Sequence, residues 1–121
     1  MFCVTLSESQ PQEHDAASCD AALVRAFAFL GKRWNGVILA TLGVGPTGFA
    51  DLRRRVGTIT DSVLSDRLTE LARAGLVDRV VDADTRPPAV RYALTAAGVA
   101  LLPVFDELAT WAHTNLPGGR C

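Results

Sequence analysis

A chain of 121 residues, 49% hydrophobic and 21% charged, has the length for one folded domain with its own core but not for two. No run approaches the roughly 18 apolar residues of a membrane span, and the opening MFCVTLSESQ lacks the basic start and apolar centre of a secretory signal, so a cytoplasmic protein without membrane contact is expected. The net charge of −1 argues against a uniformly basic polyanion binder, yet Lys32 to Arg91 holds ten basic against seven acidic side chains, a net of +3, leaving −4 for the rest.

Residues 1–17 are polar, acidic and aperiodic, which predicts a flexible N-terminal arm. Ser18 or Asp20 is the expected cap of a first helix, with Leu23, Phe27 and Leu30 on one face and Gly31 at its end. A second helix is expected in KRWNGVILATL, with Trp34, Ile38 and Leu42 aligned, and Gly43, Gly45, Pro46 and Gly48 then force a turn. Lys32 and Arg33 would begin that helix against its dipole, which leaves nearby phosphate as one reason for their presence, while Trp34 reads as a core residue.

In FADLRRRV, Phe49, Leu52 and Val56 share a face of a short helix ended by Gly57, and Arg53, Arg54 and Arg55 lie outside it. The next segment, TDSVLSDRLTELARAGL, begins with five hydroxyl or acidic side chains in seven positions. At 100° per residue Leu64, Leu68 and Leu71 form a narrow stripe, and Ser62, Asp66, Thr69 and Arg73 cluster opposite it. A helix cap needs one or two such polar groups, so the outer face carries a surplus. Gly75 is the expected left-handed C-terminal residue.

After Gly75 the period becomes alternating. LVDRVV and AVRYAL are two expected strands joined by the tip DADTRPP, so that a helix-turn-helix is followed by a projecting wing. The last element, TAAGVALLPVFDELATWAHTNL, reads as one long helix kinked at Pro103, with Leu101, Phe105, Leu108 and Ala112 on one stripe and Val104 and Trp111 alongside. That apolar surface is broader than one core contact requires, which favours a homodimer seam through Leu101, Phe105, Leu108 and Trp111 over ordinary internal packing. Residues 117–121 are expected to form a C-terminal tail. The fold class is mainly α with a small β-hairpin wing (α+β), a winged helix-turn-helix with N- and C-terminal dimerisation helices.

Enzyme chemistry finds little support. His14 and His113 lie near the two ends, and no Gly-rich phosphate loop, metal-ligand cluster or Ser/His/Asp arrangement is present, so no catalytic residue, metal or cofactor is expected. Cys3, Cys19 and Cys121 are widely spaced with no C-x-x-C pair and should be thiols in a reducing cytosol.

GKRW followed by ILATL, the turn GPTGFADLRR, ITDSVLSDRLTELARAGLVDR, the wing end VRYALTAAG and the terminal LLPVFDELATWA together resemble the HxlR family of bacterial winged-helix regulators, relatives of MarR-type repressors. The resemblance covers roughly Cys19 to Leu116, within an expected DNA-binding and dimerisation domain at 18–116. It implies a homodimeric, non-enzymatic, sequence-specific transcription regulator whose Thr60–Ala74 helix enters the major groove of double-stranded DNA while its wing touches the flank. Many members carry a sensor cysteine near the start of the first helix. Cys19 is the matching position, although about two residues further from the Lys-Arg-Trp region than in the family pattern.

Short hydroxyls suit base edges and phosphates, which favours Ser62 and Ser65 as groove contacts. Thr60 reads as the N-cap or as a contact, and Arg67 either grips a guanine bidentately or pairs with Asp61, Asp66 or Glu70. Asp66 would accept from a cytosine amino group or orient an arginine, and the second role is favoured. Arg53, Arg54 and Arg55 are phosphate contacts or simply cations at a helix C-terminus. Arg86, beside the rigid Pro87-Pro88, is the wing contact, whereas Arg91 reads as a strand-face residue. Cys19 is either a reactive thiol at a helix start or a small buried apolar residue. Input would come through electrophiles and thiol oxidation or through a small-molecule inducer. The alternative function is a winged-helix module for protein or RNA contacts without a specific operator.

Overall fold

The computed structural model describes residues 12–116 and Gly118, with side chains from Ala21 onward. It divides after Gly36 into two compact units. The first contains helix α1, Gln12–Leu30. Because α1 already runs through Ser18 and Asp20, neither caps it, and residues 12–17 are helical where an arm was expected. The helix stops where Gly31 donates to the Phe27 carbonyl at 2.7 Å.

Helix α2, Asn35–Leu42, starts later than its sequence pattern implied. Trp34 has φ 85, a left-handed backbone that no helix interior accepts, so Lys32, Arg33 and Trp34 form the turn before α2 and are not part of the helix. Trp34 is half-buried, with the Arg33 guanidinium 5.0 Å from its ring centroid.

The second unit holds the core. Ile38, Leu39 and Leu42 of α2 are buried together with Ile59 and with Leu52 of α3, Phe49–Val56. Leu64, Leu68 and Leu71 of α4, Asp61–Arg73, and Val77 of β2, Val77–Asp82, complete it. Gly57, at φ 117, ends α3, and Gly75, at φ 80, follows the last turn of α4. Both backbones are ones that a side chain strains, which accounts for glycine at these turns.

Strand β3, Ala89–Leu94, pairs antiparallel with β2 from Val77↔Leu94 to Asp82↔Ala89. A third strand, β1, Thr47–Gly48, adds to the other side of β3 through Thr47↔Tyr92 and Gly48↔Arg91, so the wing is a three-stranded sheet of order β1-β3-β2. The glycine-rich turn thus contributes a strand as well as a reversal. Thr47 is buried, and its hydroxyl donates to the Gly45 carbonyl at 2.8 Å.

The expected single terminal helix is two. A short helix α5, Ala96–Val99, is capped by Thr95, and α6, Leu102–Asn115, follows with Pro103 in its first turn. Pro103 therefore starts a helix and kinks none, because a proline in the first turn removes an N–H that has no helical partner. Gly98 explains the close seating of α5: a Cβ there would lie 2.4 Å from the Leu76 carbonyl oxygen. Thr95 reinforces the seat, its hydroxyl donating to the Gly75 carbonyl at 2.6 Å and its N–H to Leu76 at 3.0 Å. No residue of α6 is buried, and Leu108 and Trp111 are 50% and 53% exposed. Among the described residues no helix is long and apolar enough to cross a membrane.

Candidate nucleic-acid interface

Leu64, Leu68 and Leu71 are at most 3% exposed, so any rotation of α4 about its axis would carry apolar surface into water. Locked in this way, the helix turns Ser62, Ser65, Asp66, Thr69 and Arg73 to solvent. Thr60 is the N-cap, in extended backbone at φ −84, with its hydroxyl accepting from the Val63 N–H at 3.2 Å. The hydroxyls of Ser62 and Ser65 enter no hydrogen bond among the described residues. The polar surplus at the helix start is therefore not consumed by capping.

Charge is sorted around this face. Asp61 pairs with Nε of Arg53 at 3.0 Å and so links the end of α3 to the start of α4, while Arg54 pairs with Asp51 within α3. Arg67 pairs with Glu70 at 2.8 Å, one turn apart, with both side chains largely covered. Of the partners open to Arg67, the structure thus selects Glu70 over Asp61 and Asp66. Asp66 orients no arginine, contrary to the favoured expectation: Asp61 and Glu70 hold that role, and Asp66 stands exposed without an ion pair among the described residues. Arg55 is exposed beyond both pairs.

The wing tip is braced by a residue that sequence reading passed over. Thr85 accepts from the Ala89 N–H at 2.9 Å, and its hydroxyl lies 3.1 Å from the Asp82 carbonyl and 3.0 Å from that of Pro87, so it spans the tip. Asp82 also accepts from the Asp84 N–H at 3.0 Å. Arg86, exposed at the end of the wing, is carried on this braced loop. Threonine three residues after aspartate in a proline-flanked turn is the signal that would have marked it.

A cleft of about 470 Å³ runs beside α4, lined by Ser65, Leu68, Thr69, Ala72 and Arg73 of the helix and by Arg79 and Tyr92 of the sheet. Arg79 and Tyr92 are register partners across β2 and β3, a relation invisible until the strands are paired.

The remaining sequence-derived positions fall elsewhere. Cys19 lies along α1, and its side chain is outside the described ones, while Cys3 and Cys121 lie outside the described residues altogether. Leu101 and Phe105 are half-buried, and Leu108 and Trp111 are exposed. The structure thus brings Thr60, Ser62, Ser65, Asp66 and Arg53 together along the start of α4 and places Arg86 apart on the wing.

The HxlR-like helix-turn-helix family model matches residues 29–119. The HTH-type transcriptional regulator YodB of Bacillus subtilis (strain 168) is 42% identical over 87 residues, 72% of this chain and 77% of YodB. The structure of reduced YodB from B. subtilis superposes with a TM-score of 0.74 at 37% identity, covering 82% of this chain and 96% of that one. Quinone-bound YodB gives 0.69 at 37% identity over 78% and 98%. With a helix-turn-helix, a three-stranded wing and these likenesses in hand, the chain belongs to the HxlR-like helix-turn-helix family and is a DNA-binding transcriptional regulator of that kind.

Proposed function

We propose that the protein acts in the cytoplasm as a homodimer that reads an inverted-repeat operator, without enzymatic activity. The outer face of α4 carries this reading: it is fixed in direction by three buried leucines, and it presents Ser62 and Ser65, whose hydroxyls have no hydrogen-bond partner among the described residues. Short hydroxyls let the helix approach base edges closely, with Asp66 limiting which bases are accepted, since a carboxylate favours a cytosine amino group and repels phosphate. Thr60 directs the helix start. Arg53 and Arg54 border it as phosphate contacts that exchange an aspartate partner for DNA, and Arg67 contributes through its pair with Glu70. Arg86 reaches the flanking minor groove or backbone from the wing. Dimerisation uses Leu101, Phe105, Leu108 and Trp111.

Selection of bound sequences from random duplexes tests this reading, with a palindromic consensus as the expected product. Arg86→Ala should fold normally and lose affinity about tenfold. Binding of the selected sequence no better than random duplex across salt concentrations would overturn it.

Input through a thiol is supported by the likeness to YodB, whose solved structures include a reduced and a quinone-bound form. Cys19 is the position we assign to it, with a non-covalent small-molecule inducer as the alternative. Quinone or diamide should release DNA from the wild-type protein and not from Cys19→Ser; an equal response of the two proteins rules out Cys19 as the sensor.

A further inference from the structure

We infer that the cleft between α4 and the wing sheet is a phosphodiester site in which Arg73 and Arg79 hold the DNA backbone beside the reading helix. The inference rests on the reading that α4 meets DNA, and it adds two contacts outside the residues assigned above.

Charge is the first argument. The seven residues lining the cleft include two arginines and no carboxylate. Arg53, Arg54 and Arg67 are held by Asp61, Asp51 and Glu70, whereas neither Arg73 nor Arg79 has an ion pair among the described residues. Positive charge near the reading helix is therefore left uncompensated in the cleft, where an anion would meet it.

Placement is the second. Arg73 lies in the last turn of α4, where the helix dipole by itself favours a cation. Arg79 has no such reason, as it sits inside β2 and approaches the same cleft from the sheet. Its register partner Tyr92 also lines the cleft, and its hydroxyl makes no hydrogen bond among the described residues, so the phenol is a third available donor. By contrast the Thr69 hydroxyl is turned back to the Ser65 carbonyl at 3.0 Å. Two arginines and a tyrosine lining one cleft from separate elements supply donors that suit the several acceptor oxygens of a phosphodiester. Ser65 belongs to both the cleft and the outer face, so a strand gripped here runs directly past the bases that α4 reads.

Phosphate contacts strengthen binding to all sequences alike and contribute to its salt dependence, whereas base contacts change preference. The test measures binding of the full-length protein to the duplex selected by the wild type and to a random duplex, between about 50 and 200 mM salt. Because each substitution is present in both protomers of the proposed dimer, Arg79→Ala and Arg73→Gln should each weaken both complexes about a hundredfold and lower the slope of log K against log salt by about 1.8, about 0.9 from each protomer. The ratio of selected to random affinity should stay at the wild-type value, and Arg79→Lys should keep the slope. Circular dichroism melts identify any variant that fails to fold, and because both arginines are exposed, one of the two suffices. An unchanged slope in folded variants, or a changed preference ratio, overturns the site. If the wild type selects no sequence, the operator reading falls while the slope on random duplex still decides the cleft.

Discussion

Thr60 and Ser65 look alike in composition and differ in what each oxygen does. The Thr60 hydroxyl accepts from the Val63 N–H, a donor that otherwise lacks a partner at a helix start. Thr60→Ala should therefore lower stability by about 1 kcal/mol, read as a shifted urea midpoint with an unchanged m-value. Ser65 is exposed, and its hydroxyl has no partner among the described residues, so Ser65→Ala should leave the urea midpoint in place and weaken binding to the selected duplex. If both variants lost stability equally, the division between cap and contact would be wrong. This distinction was partly legible in sequence, because the surplus of hydroxyls over capping needs could be counted. The partners of Arg53 and Arg67 could not, since several carboxylates within one or two turns compete and only the packed geometry selects among them.

Among the elements, α5 shows most clearly how tertiary packing overrides a local pattern. Periodicity alone joins residues 95–116 into a single helix, yet Gly98 brings the backbone of α5 so close to Leu76 that no side chain fits. Gly98→Ala should cost about 1–3 kcal/mol, because the nearest obstacle is a backbone carbonyl that cannot swing away. Pro103→Ala, in the first turn of α6, should change stability by no more than about 1 kcal/mol. Thermal melts of the two variants side by side check both statements. A large loss at Pro103 and none at Gly98 would restore the single kinked helix. The starts of α2 and α1 also differ from expectation, with a left-handed Trp34 before α2 and α1 running from Gln12.

At the scale of the whole molecule, α6 leaves an apolar surface uncovered. A helix of 14 residues with none buried, bearing Val104, Leu108 and Trp111 at about half exposure, leaves more apolar area in water than a stable isolated chain favours. Under the proposed dimer, Leu108→Asp combined with Trp111→Asp should yield a folded monomer in sedimentation, with affinity for the inverted repeat reduced at least about a hundredfold. Retention of the wild-type sedimentation and of inverted-repeat binding would place the seam elsewhere.

Within the described residues, the sequence by itself determined the faces of α4, the two long strands, the glycine stops at Gly57 and Gly75 and the family resemblance. The faces, strands and stops follow from periods of 3.6 and 2 and from backbone sterics, which act over a few neighbouring residues, and the resemblance rests on short motifs taken together. Tertiary structure alone decided that Thr47 and Gly48 extend the wing as a third strand, that Thr95 and Gly98 dock α5 on the turn after α4, and that Arg73 and Arg79 line one cleft. Each of those depends on groups far apart in the chain, whose distances are set only once the core has closed.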